Sequence, residues 1–241
     1  MEKKLLSIGE AAKTLGISID TLRRWDKNGV IKSIRGSKIG HRYYLKSDLY
    51  MLINDLFKVA EQWVTAEHGA ELNHDLYCPT SDVFQSRLIR MQNELIKTED
   101  LSTPFSLIVA VTAEICNNSF DHNLGNWRDL PGVFFGYDIK KRHIVLADRG
   151  QGILKTLRRV KPELKNDSEA IETGFTEIIT GRAPEERGNG LKFVKKIVTT
   201  NPMNLLFESG DSKLILKNGD TNLSIEVQDS YVYGCIAMIQ F

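Results

Sequence analysis

The spacing of apolar and polar positions along this chain changes character three times, and each change marks a different kind of element. Near the amino terminus Ile8, Ala11, Ala12 and Leu15 follow the helical repeat behind Ser7, a residue suited to cap the first turn. Ser18 caps a second helix carrying Ile19, Leu22 and Trp25, and Gly16 and Gly29 close the two. A pair of short helices joined by a tight glycine turn is a helix-turn-helix. Residues 30–34 and 42–45 then flank a basic, glycine-rich loop, which reads as a hairpin or wing. Trp25 and Tyr44 are expected in its core. Over residues 48–67 the pattern predicts one amphipathic helix, with Leu49, Leu52, Ile53, Leu56, Val59, Ala60 and Trp63 on one side. That side suits pairing with a second copy of the chain and packing on the winged helix equally well.

Farther along, residues 66–79 have few regularly spaced apolar positions and read as a linker. A capped helix follows from Ser81 to about Lys97, and Thr103-Pro104 opens the next, which runs over residues 105–123. Strands are expected near residues 132–137 and 143–147. Three more runs, 204–208, 212–218, and 222–227 leading into 232–241, close the chain. The expected class is α+β: a winged helix-turn-helix over residues 1–66, a linker over 67–79, and over 80–241 a two-layer α/β sandwich whose mixed sheet has its helices on one face.

With 241 residues and 41% apolar content the chain can bury one or two cores of ordinary size. Its net charge of +1 is unevenly placed, since residues 1–47 carry +7 and the remainder −6. A basic end on an acidic body suggests that the amino-terminal part meets a polyanion. Cys78, Cys116 and Cys235 are too far apart for a zinc-type cluster, and the sequence has no apolar run of membrane-spanning length. A cytoplasmic location, away from membranes, is the expectation.

Candidate chemistry is concentrated in three polar clusters. In the helix over 105–123, Leu107, Val111 and Ile115 face a core while Glu114, Asn118 and Asp121 form a polar stripe beside it, with His122 next in line. An amide oxygen one turn from a carboxylate suits a magnesium-bound nucleotide: the amide is a hard neutral ligand, and the carboxylate can orient or deprotonate an attacking group. The apolar run Ile144-Val145-Leu146-Ala147 ends at Asp148, whose carboxylate can accept from a base amino group, while Gly150 and Gly152 let the backbone turn beneath the ring. Gly188-Asn189-Gly190-Leu191 opens an amphipathic helix, and a helix start favours phosphate. The polar stretch 153–187 before it is rich in turn residues. Arg182 and Arg187 add charge there.

In this order the three clusters resemble the nucleotide-binding boxes of the superfamily of ATP-binding domains shared by gyrase, the heat-shock chaperone, sensor histidine kinases and MutL (GHKL). The resemblance implies a Bergerat-type ATP-binding fold that takes ATP and Mg2+. It implies Asn118 as the magnesium ligand, Glu114 as the base, Asp148 as the adenine acceptor, and a lid over the triphosphate in the region before Gly188. Many relatives place a threonine after the glycine of the last strand, where this chain has Gly234-Cys235. The box pattern looks most like the small anti-sigma-factor serine kinases. The first fifty residues, from Leu6-Ser7-Ile8-Gly9-Glu10-Ala11-Ala12 to Gly40-His41-Arg42-Tyr43-Tyr44, resemble the excisionase and MerR winged-helix family. That resemblance implies double-stranded DNA as a partner, with Thr21, Arg23 and Arg24 in the major groove and Arg35, Lys38, His41 and Arg42 on the wing. Two readings follow: a nucleotide-responsive DNA-binding regulator, acting alone or as a homodimer, and a serine/threonine protein kinase that phosphorylates a protein partner and docks through its winged helix.

Overall fold

The computed structural model describes residues 5–15, 18–27, 29, 31–35, 40–46, 48–49, 55–70, 72–178 and 190–241. Strand β1 (Leu5–Ser7) leads straight into helix α1 (Ile8–Leu15), and α2 (Ile19–Lys27) follows. The junction is a capping box: the Ser7 N–H donates to the Glu10 carboxylate at 2.8 Å, and the Glu10 N–H donates to the Ser7 hydroxyl at 3.4 Å. β2 (Tyr43–Leu45) pairs antiparallel with β1, and Ile34 and Tyr43 exchange both backbone bonds at the base of the wing. Ala11, Leu22, Trp25 and Tyr44 are buried together, as their spacing predicts.

The long helix expected over residues 48–67 does not run unbroken. Helix α3 covers Leu56–Thr65 and starts at Asp55, a non-helical residue whose carboxylate accepts the Lys58 N–H at 3.2 Å. An aspartate inside an apolar repeat competes for backbone N–H groups and begins a new helix rather than extending an old one. Residues 50–54 lie outside the described set.

The larger body is a five-stranded sheet in the order β3 (Tyr77–Cys78), β4 (Val133–Asp138), β5 (His143–Asp148), β7 (Ser224–Gln240), β6 (Asn204–Lys217). Every neighbouring pair is antiparallel, which corrects the expected mixed sheet. A helical crossover returns the chain so that β6 runs parallel to β5, but β7 folds back between them and pairs with both. The three carboxy-terminal runs are accordingly two long strands, with a register shift at Ser209 and Gly210. The supposed linker contributes β3.

Helices α4 (Ser81–Ile96), α5 (Phe105–Asn123), α7 (Asp167–Thr176) and α8 (Gly190–Thr200) cover one face, where Phe84, Val111, Phe175 and Val194 pack on Phe135, Leu146, Phe207 and Ile239. The stretch expected to be polar and turn-rich thus holds α7 and the short α6 (Gly152–Leu157), because Ala170, Ile171 and Phe175 give it an apolar stripe. Helices on one face alone is the second correction. Val59, Ala60, Trp63 and Val64 of α3 pack on the opposite face, against Phe134, Val145, Ala147, Val232 and Ile236, in an apolar cluster continuous with the winged-helix core. Burial on both faces explains why Ile144 to Ala147 is uninterruptedly apolar. No helix among the described residues is long and apolar enough to cross a membrane.

A buried guanidinium fastens α3 in place. Arg149, wholly inaccessible to solvent, donates from Nε and Nη2 to the two Asp129 oxygens at 2.9 and 2.6 Å and from Nη1 to the Trp63 carbonyl. Asp129 also accepts the Gly69 N–H at 2.7 Å. Burial disfavours the Asp129 anion, but Arg149 and the N–H groups of Gly69 and Leu130 outweigh it and hold the carboxyl at about 2. Because that value lies below the ordinary 3.8, the ion pair stabilises the fold above about pH 4 and its contribution is lost as pH falls toward 2. With the screening expected at this partly exposed carboxylate, the difference corresponds to about 1 kcal/mol. Urea unfolding should show Asp129→Asn less stable than the parent at pH 7 by roughly this amount, with the gap narrowing below about pH 4 and nearly gone at pH 2. A gap that does not vary with pH would show that the carboxylate carries no charge-dependent stability.

Candidate functional site

A cavity of about 400 Å³ opens between α5, the end of β5, α6, α7 and the start of α8. Its wall includes Asn118, Ser119, Asp121 and His122 from α5, Asp148 and Gly152 from the β5–α6 turn, Gly190 and Leu191 from the first turn of α8, and Phe207 and Cys235 from the sheet. Seven of the residues singled out from the sequence, Asn118, Asp121, His122, Asp148, Gly152, Gly190 and Leu191, therefore share one wall. Glu114 stands just behind it, its carboxylate against Gly190 so closely that a Cβ on residue 190 would overlap it. Glu114 is half-buried, and that burial, followed by the charge of Asp121, pushes its pKa up. Arg182, Arg187, Gly188 and Asn189 lie outside the described residues.

Asp148 is the most enclosed polar group of the wall, only 2% exposed. Its oxygens accept from the Ser119 hydroxyl at 2.8 Å, the Asn123 amide at 3.1 Å, the Gly150 N–H at 2.8 Å and the Cys235 N–H. Burial raises its pKa and these four donors oppose the rise. Two of them, Ser119 and Asn123, were assigned no role from the sequence. Asn123 is 4% exposed and clamps the turn from both sides, donating to Asp148 and accepting the Gln151 N–H at 3.0 Å through its own oxygen. Its side chain fills the space a Cβ on Gly150 would take, so Gly150 is required for close approach and does not reach the wall itself. Buried Ser209 is a third missed residue: its hydroxyl accepts the Ile153 N–H at 3.0 Å and donates to the Gly234 carbonyl at 2.8 Å, tying α6 to β7. The Cys235 sulfur lies 3.6 Å from that hydroxyl, and burial followed by the charge of Asp148 pushes its thiol well up. Asn123 and Ser209 carry no distinctive signal in the sequence, since each stands among polar residues and glycine, in Asp121-His122-Asn123 and Glu208-Ser209-Gly210.

The winged helix presents a second surface. Arg23 is exposed on α2 and pairs with Asp20 at 2.7 Å; Arg24 is partly exposed, and His41 is exposed beside the wing. Arg35 and Arg42 both reach one Asp26 oxygen, at 2.6 and 2.8 Å, while Ser33 donates its N–H and hydroxyl to the same carboxylate at 2.9 and 2.8 Å. Burial works against the Asp26 anion, but the Ser33 N–H and the two arginines hold its carboxyl far below the usual range. Arg35 and Arg42 therefore fasten the wing to α2 as well as presenting charge. Lys38 lies outside the described residues, and of Thr21 only its place in α2 is described.

Residues 7–44 match the MerR family of regulatory proteins. The matched segment holds the capping box, both helices and the wing, and it supports a DNA-binding regulatory role. The chain is also 38% identical over 63 residues to the type II methyltransferase M.Eco47II of Escherichia coli. That similarity spans 26% of this chain and 15% of the methyltransferase.

The contact between Gly150 and Asn123 gives a measurable coupling. Gly150→Ala alone should destabilise the fold by about 1–3 kcal/mol, as overpacking does. In an Asn123→Ala background, where the obstructing amide is gone, the same change should cost less than half as much, giving a non-additive double-mutant cycle in urea unfolding. Additive costs would show that the two residues do not compete for one space.

Proposed function

We propose that this chain is a DNA-binding regulator whose larger body binds ATP with magnesium. The observation that carries the reading is the convergence on one cavity of Asn118 and Asp121 from a helix, Asp148 from a strand end and the first turn of α8, three features far apart in sequence. Asp148 offers its carboxylate to the base. The Ser119 hydroxyl can rotate away from it, leaving an oxygen to accept an adenine amino group inside an apolar slot formed by Ile153, Leu157 and Phe207. Phosphates would lie toward Gly190, where the N-terminal turn of α8 favours negative charge. Asn118 would hold magnesium. One amide oxygen completed by phosphates and water suits that ion, and the described residues contain no group of three acidic or imidazole side chains able to cage a metal alone. When bound, magnesium would offset the charge of the phosphate oxygens.

A second reading, a serine/threonine protein kinase of the anti-sigma type, is favoured by Glu114. A carboxylate whose pKa is raised by burial and placed beside the helix start meets the requirement for a base acting on an attacking hydroxyl. Glu114→Ala should then keep its affinity for ATP while losing phosphate transfer or hydrolysis, because a base contributes little to ground-state binding. Equal turnover in variant and parent would assign Glu114 a purely structural part.

On the winged helix, duplex DNA should bind with an affinity that falls steeply with salt, by about 0.9 log unit per log unit of salt for each phosphate neutralised. Arg42→Ala should weaken all sequences alike and flatten this slope by about one unit. Arg23→Ala, on the exposed face of α2, should erode preference among sequences instead. An Arg42 variant that changes preference but not slope would contradict the assignment of the wing to the phosphates.

A further inference from the structure

Successive side chains of a strand point to opposite faces. At the end of β5 this puts Asp148 on the cavity side and Arg149 on the side of α3, so one peptide unit serves both. Beyond it, the Arg128 N–H donates to the Arg149 carbonyl at 3.1 Å, and the Arg128 guanidinium stacks 3.5 Å above the Tyr233 ring while donating to the Glu67 carbonyl at 3.0 Å. A second path joins the two sides. The loop leaving α5 lines the cavity with Leu124 and Asn126, then reaches Asp129, which binds Arg149 and the Gly69 N–H. Both paths end on Trp63, whose carbonyl is held by Arg149 and whose indole N–H donates to Ala70 at 2.9 Å. Trp63 is buried in the apolar cluster that continues into the winged-helix core.

We propose that the Arg149–Asp129 pair is the link through which occupancy of the cavity changes the affinity of the winged helix for DNA. The inference rests on the nucleotide reading of that cavity and specifies its regulation. A ligand amino group that replaces Ser119 on Asp148 alters the hydrogen bonds at residues 148–150, which include the backbone of Arg149. An exposed arginine would absorb such a change by swinging in water. This guanidinium is sealed, with three acceptors fixing its position, so a displacement of its backbone is passed to Asp129, Trp63 and α3. Arg128, stacked on Tyr233 and bonded to Glu67, restrains the same segment from the rim. Coupling of this kind is reciprocal: the factor by which nucleotide changes DNA affinity equals the factor by which DNA changes nucleotide affinity.

The full-length protein is titrated with Mg-ATP by calorimetry, with and without a saturating mixed-sequence DNA duplex at low salt, and with the duplex, with and without Mg-ATP. Each ligand should shift the dissociation constant of the other by the same factor, about fivefold or more. Arg149→Met and the milder Asp129→Asn should each bind both ligands while the shift falls toward one. A Trp25→Phe, Trp127→Phe background leaves Trp63 as the sole tryptophan. Its emission should respond to Mg-ATP, and Asp129→Asn should abolish the response. If Arg149→Met does not fold, Asp129→Asn decides. A parent that binds both ligands independently, or variants that retain the full shift, overturn the link while leaving the nucleotide reading intact. A flat ATP titration in the absence of DNA overturns the nucleotide reading itself, and the link with it.

Discussion

A guanidinium with no access to water must find its hydrogen-bond acceptors inside the protein, and much of this fold follows from how Arg149 finds them. Two come from Asp129 on the loop after α5 and one from the carbonyl of Trp63 on α3. A buried cation left unpaired is strongly destabilising. The loop and the helix are therefore committed to the positions that complete its coordination. That commitment makes α3 the cover of the second face of the sheet, although it follows the winged helix in sequence, and gives the sheet burial on both sides. It also ties the end of β5, where Asp148 enters the cavity, to the segment that carries the winged helix.

The cavity obeys a related economy of space. Helix α5 comes close enough to the β5–α6 turn for Asn123 to occupy the volume beside Gly150, and close enough to α8 for Glu114 to touch Gly190. Both glycines thus place a polar side chain of α5 against another element. The outcome is a cleft with one apolar side, from Ile153, Leu157 and Phe207, and one polar side, from Asn118, Asp121 and Asp148. Such an arrangement suits a ligand that combines a flat ring with a charged tail.

How far the sequence revealed this depends on the range of the interactions. Elements set by local chemistry were legible: the cap at Ser7, the start of α5 after Pro104, and the apolar run of β5 leading to Asp148. Asn118, Asp121 and Asp148 line one cavity; spacing marks each as a polar break beside apolar sequence, but only the resemblance of their clusters to nucleotide-binding boxes groups them into one site. What escaped notice depended on partners distant in sequence. The cap at Asp55 broke a repeat that looked continuous, the apolar stripe of α7 was diluted by Glu169, Glu172 and Thr176, and β6 and β7 bridged polar breaks that read as loop. Arg149 read as one residue of a turn, since nothing nearby announces that its partners lie 20 and 86 residues away. The uninterrupted apolarity of Ile144 to Ala147 did carry the clue to a second covered face, but the expectation of helices on one face alone overlooked it.

The winged helix shows the same division. Its helices and wing could be read from spacing, whereas the ties of Arg35 and Arg42 to Asp26 depended on the fold, and they make two presumed contact residues part of the unit's own framework. A crystal structure of the protein grown with Mg2+ and a non-hydrolysable ATP analogue puts the proposal of an adenine-nucleotide cavity to its sharpest test. The base amino group is expected within hydrogen-bond distance of Asp148, with Ser119 turned aside, and the phosphates beside Gly190 at the start of α8. A nucleotide bound elsewhere, or a cavity that stays free of it at saturating concentration, would overturn the proposal.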